Sequence, residues 1–565
     1  MYAPPAPRAP LWTLGLFAAL FCALSVRLGP DASWDLRNYH LYDPHALLGG
    51  TLWRDIAPAQ LQSFYAPTLD VAQLVLRRAL NAHPWALAAA LALPHALAAW
   101  LALGIARRAG LSMGTAMPAV LLGATGAAGL PTLGTGMSEA APECLVLGGL
   151  GLALARPFGA GLFAGVAIGL KLTFAAYAPG LAGALLAAGR WRSLPVLAAG
   201  IATAALAVAG PWWWELWRHT GNPLFPHFND VFHSAWAPAA AMTDTRFLPP
   251  DALHALLFPL FWAFQPSQLV AELPVRDPRL ALGWVGWLLV LARAAWRREP
   301  LAAPVRALLA FWVVSFIAWE ARCSILRYAA TLEVLAGIPV ALAFLPLQSV
   351  GLPRHSRESG NPGALHQFAV CLDSRSRGGD GSLRFAIATV LAVLVASTTL
   401  YPDWGRARPG LLAADVQPPA FPENSLVLLL DPAPMAYVAA FSPPGVRFAG
   451  VNSNVLRPGD GTVLGRAAAA AVAAHEGPLW GLESPEDQPS QADRALTAYG
   501  LTRGGCVRLR SNLDADAIRA CRLVQLQRPP SRVTSRSSPP SPALMAIPAS
   551  ASSTSAANMR GISSR

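Results

Sequence analysis

Charge is scarce in this chain. Asp, Glu, Lys and Arg make up 13% of its 565 residues, against roughly 25% in a soluble globular protein. An ordinary soluble enzyme of this length is thereby excluded. The 54% hydrophobic content excludes a disordered chain, despite 51 Pro and 47 Gly. Lysine is almost missing: Lys171 is the sole one, and every other strong base is Arg. Several motifs are missing too. No CxxC or Cys/His spacing offers a zinc site. No GxxxxGK[ST] loop points to an ATP-driven pump, and neither HExxH nor GxSxG occurs. The net charge is +12, but the arginines gather beside apolar runs and near the end of the chain. That is the pattern of cytoplasmic loop ends, so no nucleic-acid partner is expected.

What is present is a series of apolar runs. A spanning helix needs roughly 20 mostly apolar residues. Runs at 11–28, 84–106, 112–130, 138–155, 158–170, 172–189, 193–214, 280–296, 301–321, 326–347 and 383–400 predict about eleven spans. The short pair 158–170 and 172–189 brackets Lys171. Placing Arg8, Arg107, Arg108, Arg156, Arg190, Arg192, Arg297 and Arg298 in the cytoplasm gives one consistent alternation. Loops 29–83, 131–137 and 215–279, and all that follows residue 400, are then outside.

The expected organisation is a membrane domain over 1–350, with surface helices in loop 29–83 and a Trp-rich entry to loop 215–279. Segment 251–264 is apolar but short, so it reads as interfacial or re-entrant. A polar insertion at 351–382 falls in a cytoplasmic loop, and 383–400 is the last span. Residues 401–527 alternate strand and helix patterns and predict a small α/β domain in the periplasm. Cys506 and Cys521 open its last two strands, where a disulfide would suit an oxidising compartment. The Ser/Pro/Ala-rich tail 528–565 is expected to be disordered.

The sharpest polar cluster is DASWDLRNYHLYDPHALLGG (31–50), just after the first span. A carboxylate at the bilayer surface can act as a general base toward a hydroxyl, or hold a divalent cation. Asp35, with Asp31 as its rival, supplies the carboxylate; Tyr39 and His40 add hydrogen bonds beside it. On the next outside loop GTGMSEAAPE offers Glu139, with Glu143 in reserve, although a Glu after Ser138 also suits a helix N-terminus. Lys171 at membrane depth costs roughly 3 kcal/mol on insertion scales. It either snorkels to the interface or meets a phosphate. Arg322 and Arg327 lie on an outer turn against the positive-inside trend; guanidinium groups suit phosphate, and Glu320 and Glu333 are the alternative partners. In GNPLFPHFND (221–230), Asn222 and His227 stand among aromatics, as in carbohydrate sites.

An acidic residue after the first span, then NYHL, then a GG turn resembles the GT-C superfamily of integral membrane glycosyltransferases. GNPLFPHFND, GLKLTF (169–174) and SILRYAATLEVLAGI (324–338) are similar to segments of its bacterial members. The resemblance implies a polytopic fold in the bacterial inner membrane and transfer of a sugar from a polyprenyl-phosphate donor to a lipid or glycan acceptor. It implies a catalytic role for Asp35 and Glu139. It also implies substrate contacts from Tyr39, His40, Lys171, Asn222, His227, Arg322 and Arg327. No cofactor is required by it, and a divalent cation is left open. The alternatives are a lipid or polyol transporter, against which no inverted repeat is seen, and a non-catalytic envelope assembly protein.

Overall fold

The computed structural model describes residues 9–137, 139–238, 244–344, 380–407, 410–485, 489–513 and 517–526. Nearly all of the polar insertion 351–382, and the whole tail 528–565, lie outside the described residues. Helix α1 (Leu11–Leu28) ends at Gly29, whose φ of 91° suits a residue without Cβ. The first loop follows, with a single π-helical turn, Leu36–His40, then α2 (Tyr42–Leu48) and α3 (Thr68–Leu80). Next come α4 (Pro84–Arg108), α5 (Met113–Ala124), α6 (Ala140–Ala153), α7 (Pro157–Leu170), α8 (Ala178–Ala187) and α9 (Leu194–Thr220). Beyond the second loop are α10 (Arg279–Arg297), α11 (Ala303–Arg322), α12 (Ala330–Leu335), α13 (Gly337–Phe344) and α14 (Asp380–Thr398).

The protein is a mainly helical, polytopic membrane protein. Among the described residues six helical stretches are long and apolar enough to cross a bilayer: α1, α4, Trp191–Thr220, α10, α11 and Leu326–Phe344. The expectation of about eleven spans is not confirmed by this count. The other runs do form helix, but Met113–Ala124, Ala140–Ala153, Pro157–Leu170 and Leu172–Ala187 stop short. The chain leaves helix after Ala124, before Ala140 and at Lys171. Irregular backbone at membrane depth survives only where protein satisfies it. Here Asp277 accepts from the Ala127 amide at 2.7 Å, and Glu333 accepts from Ala128 at 3.0 Å and Gly129 at 3.1 Å. Segment 251–264 likewise holds only the short helix Ala252–Leu257 and a turn.

Glycine spacing fixes how α7 sits. Gly161, Gly165 and Gly169 repeat every four residues and face α9. A Cβ on Gly161 would lie 2.2 Å from the Leu197 carbonyl, and one on Gly165 2.3 Å from that of Ile201. Small residues at this spacing let helix backbones meet in a membrane. The close contact holds the end of α7, and so Lys171, in place. At the opposite ends of the helices, Arg108 donates to Gly151 O, Arg190 to Leu154 O and Arg306 to Ala187 O. These basic ends converge on one side, away from the first loop.

The C-terminal region contains β1 (Val416–Gln417), β2 (Leu426–Leu429), β3 (Arg447–Gly450), β4 (Leu479–Glu483), β5 (Leu501–Arg508), β6 (Arg510–Ser511) and β7 (Arg519–Gln525). Helices α15 (Val463–Ala474) and α16 (Pro489–Tyr499) pack with them. The main sheet runs β3-β2-β4-β7-β5, parallel from β3 to β4 and antiparallel beyond. Cys506 and Cys521 face each other across β5 and β7, inside the strands rather than at their starts, and form a disulfide with Cα atoms 4.0 Å apart.

This sheet shares one apolar core with the first loop. Leu36, Tyr42, Ala46, Ile56 and Leu61 pack with Leu428, Val438 and Phe448. Ile56 adds a bridge to the edge strand β3: its amide donates to Phe448 O at 2.9 Å, and Gly450 N donates to Ile56 O at 2.7 Å. Gly450 is required there, because a Cβ would come 2.4 Å from Ala57 O. Gln60 completes the junction, donating to Pro432 O at 3.0 Å and accepting from Asn454 N at 3.2 Å. The first loop is thereby clamped from outside the helical bundle.

Candidate active site

The π-helical turn, which follows directly on Asp35, places Asp35, Tyr39 and His40 side by side. Such turns widen a helix and often occur at functional sites. Asp35 is buried and ion-paired to Arg327, through Oδ2 and Nη1, and Tyr39 donates to the same oxygen at 3.1 Å. Arg327 lies on the short turn before α12, and its Nε is 3.8 Å from Glu139 Oε1. Glu139 also holds Lys171, whose Nζ is 2.7 Å from Oε1 and donates to Met137 O at 2.8 Å. Lys171 and Arg327 both lie over the Tyr328 ring, at 5.5 and 5.2 Å from its centre.

Two carboxylates and two cations thus form one buried cluster drawn from four distant segments. Burying charges is tolerable when they pair, and the sum here is neutral. The pairing is incomplete: Arg327 Nε and Glu139 Oε2 are buried without a hydrogen-bond partner among the described residues. Burial pushes the Asp35 carboxyl up, but Arg327, His40 and Lys171 outweigh it and hold it below the ordinary carboxylate range. Asp35 stays ionised.

The cluster borders two cavities, Lys171 lining one and Glu139 the other. The first, about 110 Å³, is walled by Tyr39, His40, Tyr65, Lys171, His227 and Tyr328, with Trp212 and Phe225 deeper in the apolar part. Tyr65 and His227 stack with centres 5.3 Å apart. Burial, with Arg322 nearby, pushes the His227 imidazole down to about 4. The second cavity, about 180 Å³, is mostly apolar, with Leu76, Leu91 and Pro94, and is lined by Glu139. Gln73, His95, Thr132 and Thr135 give it polar points.

The structure therefore brings together Asp35, Tyr39, His40, Glu139, Lys171, His227 and Arg327. It sets Arg322 and Asn222 apart. Arg322 is exposed, its guanidinium 4.6 Å from the centre of the Phe228 ring, and does not line the first cavity. Asn222 lies within its loop, donating to His227 O at 2.9 Å and accepting from Leu224 N at 2.9 Å, and so shapes the segment that carries His227. Among the described residues neither arginine pairs with Glu320 or Glu333. Asp31 is engaged elsewhere, by Arg77 at 3.1 Å and Gly136 N at 2.6 Å. Glu143 sits further into α6 and borders neither cavity.

Sequence reasoning missed Asp70, Tyr65 and Tyr328. Asp70 approaches His40 Nδ1 at 2.8 Å. Tyr328 was signalled by its adjacency to Arg327, and Tyr65 by the aromatic richness of the first loop. As for metals, the His, Cys, Asp or Glu group close enough to share an ion among the described residues is Glu483, Cys506 and Cys521, and its sulfurs are joined in the disulfide.

No family model matches this sequence, and no curated protein matches it. Two solved structures are similar to the chain. The crystal structure of ArnT from Cupriavidus metallidurans bound to undecaprenyl phosphate has 14% sequence identity and a TM-score of 0.49. The same protein in the apo state has 15% identity and a TM-score of 0.47. Each pairing covers 91% of this chain and 97% of the other.

Proposed function

We propose that the protein is a membrane glycosyltransferase of GT-C type that moves a sugar from a polyprenyl-phosphate donor to a lipid or glycan acceptor. The observation that carries this reading is an incompletely paired charge cluster that lines two cavities, through Lys171 on one and Glu139 on the other. A transferase must seat two substrates beside its charged groups. The first cavity combines aromatic faces with a few polar atoms, which suits a sugar. The second is apolar with a polar inner end, which suits a lipid. Lys171 and Arg327 supply the cations that a phosphate needs, and exposed Arg322 would draw an anion from solvent.

In the reaction, an acceptor hydroxyl attacks the anomeric carbon as the bond from that carbon to the phosphate oxygen breaks. The electron pair moves onto the phosphate, where Lys171 and Arg327 stabilise it. The configuration inverts. Asp35, ionised and fixed by Arg327, orients the acceptor hydroxyl, and Glu139 holds Lys171 until phosphate arrives. The site opens to the periplasm in this reading, because the arginine-rich helix ends converge on the opposite side. The Cys506–Cys521 disulfide agrees with an oxidising compartment for the region that clamps the first loop.

The test is transfer itself. Purified protein in lipid vesicles receives a panel of radiolabelled polyprenyl-phosphate sugars and a membrane lipid extract. Wild type is expected to transfer label from one donor and Asp35→Asn to transfer at least tenfold less. A folded wild type that transfers from no donor, or an Asp35→Asn variant with full activity, would refute the assignment.

A further inference from the structure

The charge cluster contains no good proton acceptor. Asp35 is tied to Arg327 and Tyr39, and those neighbours hold it as a weak base. Glu139 is occupied by Lys171. Attack by a hydroxyl nevertheless releases a proton, and some group must take it.

His40 is the group whose geometry suits this task. It lines the first cavity and is 4% exposed. Its Nδ1 lies 2.8 Å from Asp70 Oδ1, on α3, a separate element that packs beside the turn. Its Nε2 is buried and has no hydrogen-bond partner among the described residues. A carboxylate on one ring nitrogen fixes the tautomer with the proton there and leaves a lone pair on the other. The same carboxylate stabilises the imidazolium that forms when that lone pair takes a proton. His227, the other histidine of this cavity, makes no hydrogen bond to a carboxylate among the described residues and stacks on Tyr65 instead.

We propose that His40, oriented by Asp70, is the general base of the transfer reaction. The inference rests on the glycosyltransferase reading and deepens it. The proton of the acceptor hydroxyl passes to His40 Nε2 as the oxygen bonds to the anomeric carbon. The electron pair of the broken carbon–oxygen bond goes to the polyprenyl phosphate. The proton then leaves to water or to the departing phosphate. Asp70 touches no reacting atom and is a positioning residue. The charged and titratable groups around His40 are Tyr39, Asp35 and Asp43 on its own segment, Asp70 from α3, and Lys171, His227, Tyr65 and Tyr328 from the cavity wall.

The experiment compares wild type, His40→Gln, His40→Ala and Asp70→Asn in single-turnover transfer across pH 5 to 9, beside binding of polyprenyl phosphate to each. Wild type should lose rate on the acid side, the signature of a general base that acts unprotonated. His40→Gln should fall at least 100-fold and lose that acid limb, while binding polyprenyl phosphate within threefold of wild type, which also shows that it folds. Added imidazole should restore His40→Ala at least tenfold. Asp70→Asn should shift the acid limb to lower pH and reduce the rate less than His40→Gln does. An active wild type whose His40→Gln variant keeps its rate within threefold and retains the acid limb would overturn the assignment and leave the glycosyltransferase reading standing. A wild type that neither transfers sugar nor binds polyprenyl phosphate would remove that reading, and the base with it.

Discussion

The molecule buries two ionic clusters among its helices, and they are built differently. In one, Arg279 donates to Leu122 O, Asp277, Thr399 and Thr125, while Asp277 and Glu333 accept from the amides of residues 127–129. None of its polar atoms lacks a partner, and it borders neither cavity. In the other, Asp35, Glu139, Lys171 and Arg327 pair with one another but leave Arg327 Nε and Glu139 Oε2 unused beside two cavities. The first is almost fully enclosed, with Arg279 and Asp277 side chains 0% and 2% exposed, whereas in the second Lys171 and Arg327 keep 16% and 12%. Full satisfaction suits a cluster that holds backbone in place; remaining capacity beside open space suits the ligand site proposed above.

Substitution separates the two most sharply. Lys171→Gln should lower transfer per folded molecule on the order of 100-fold, the effect of removing one donor to a developing oxyanion. Arg279→Ala should act on folding instead, costing about 3–5 kcal/mol because it strands two buried carboxylates. Thermal unfolding in detergent, beside activity per folded molecule, checks both. If Arg279→Ala lost specific activity while remaining stable, the comparison would fail.

A smaller effect tests the placement of Lys171. Gly165→Val would force apart α7 and α9, where a Cβ meets Ile201 O at 2.3 Å. Overpacking of this kind costs about 1–3 kcal/mol, and the shifted end of α7 should weaken binding of polyprenyl phosphate.

The smallest effect concerns Asp43, on α2 within the first loop. Both its carboxylate oxygens are buried without a hydrogen-bond partner among the described residues, and burial, with Asp70 nearby, pushes its carboxyl well above the ordinary range. A raised folded value means that the folded state binds the proton more tightly. Stability is then fully present below the unfolded value near 3.9 and falls as pH rises above it. Asp43→Asn removes this cost. Its unfolding temperature should exceed that of wild type by on the order of a few degrees at pH 8, and the difference should vanish near pH 4. A variant less stable than wild type at pH 8 would show that Asp43 is ionised and paired.

Much of this was legible in sequence. Lys171 stood out because every other strong base is Arg, and it proved to sit where α7 breaks. The strands around Leu426–Leu429 and Arg447–Gly450 followed from short apolar runs between turn residues. Span lengths were less legible. Hydropathy does not register the breaks near Gly126 and Glu139, because side chains as distant as Asp277 and Glu333 satisfy the backbone there. The pairing of His40 with Asp70 joins residues 30 apart through the packing of α3, and no local pattern encodes it. The shared core of the first loop and the C-terminal sheet is long-range in the same way: Ile56 meets β3 only in the folded chain.

In the proposed function, the incompletely satisfied cluster is a seat for a lipid phosphate. Native mass spectrometry of the protein with added polyprenyl phosphate tests it most directly. Wild type should retain one lipid, and a Lys171→Gln, Arg327→Gln double variant that unfolds at a temperature close to that of wild type should bind it at least tenfold more weakly. Equal retention by the two proteins, or none by a folded wild type, would contradict the account.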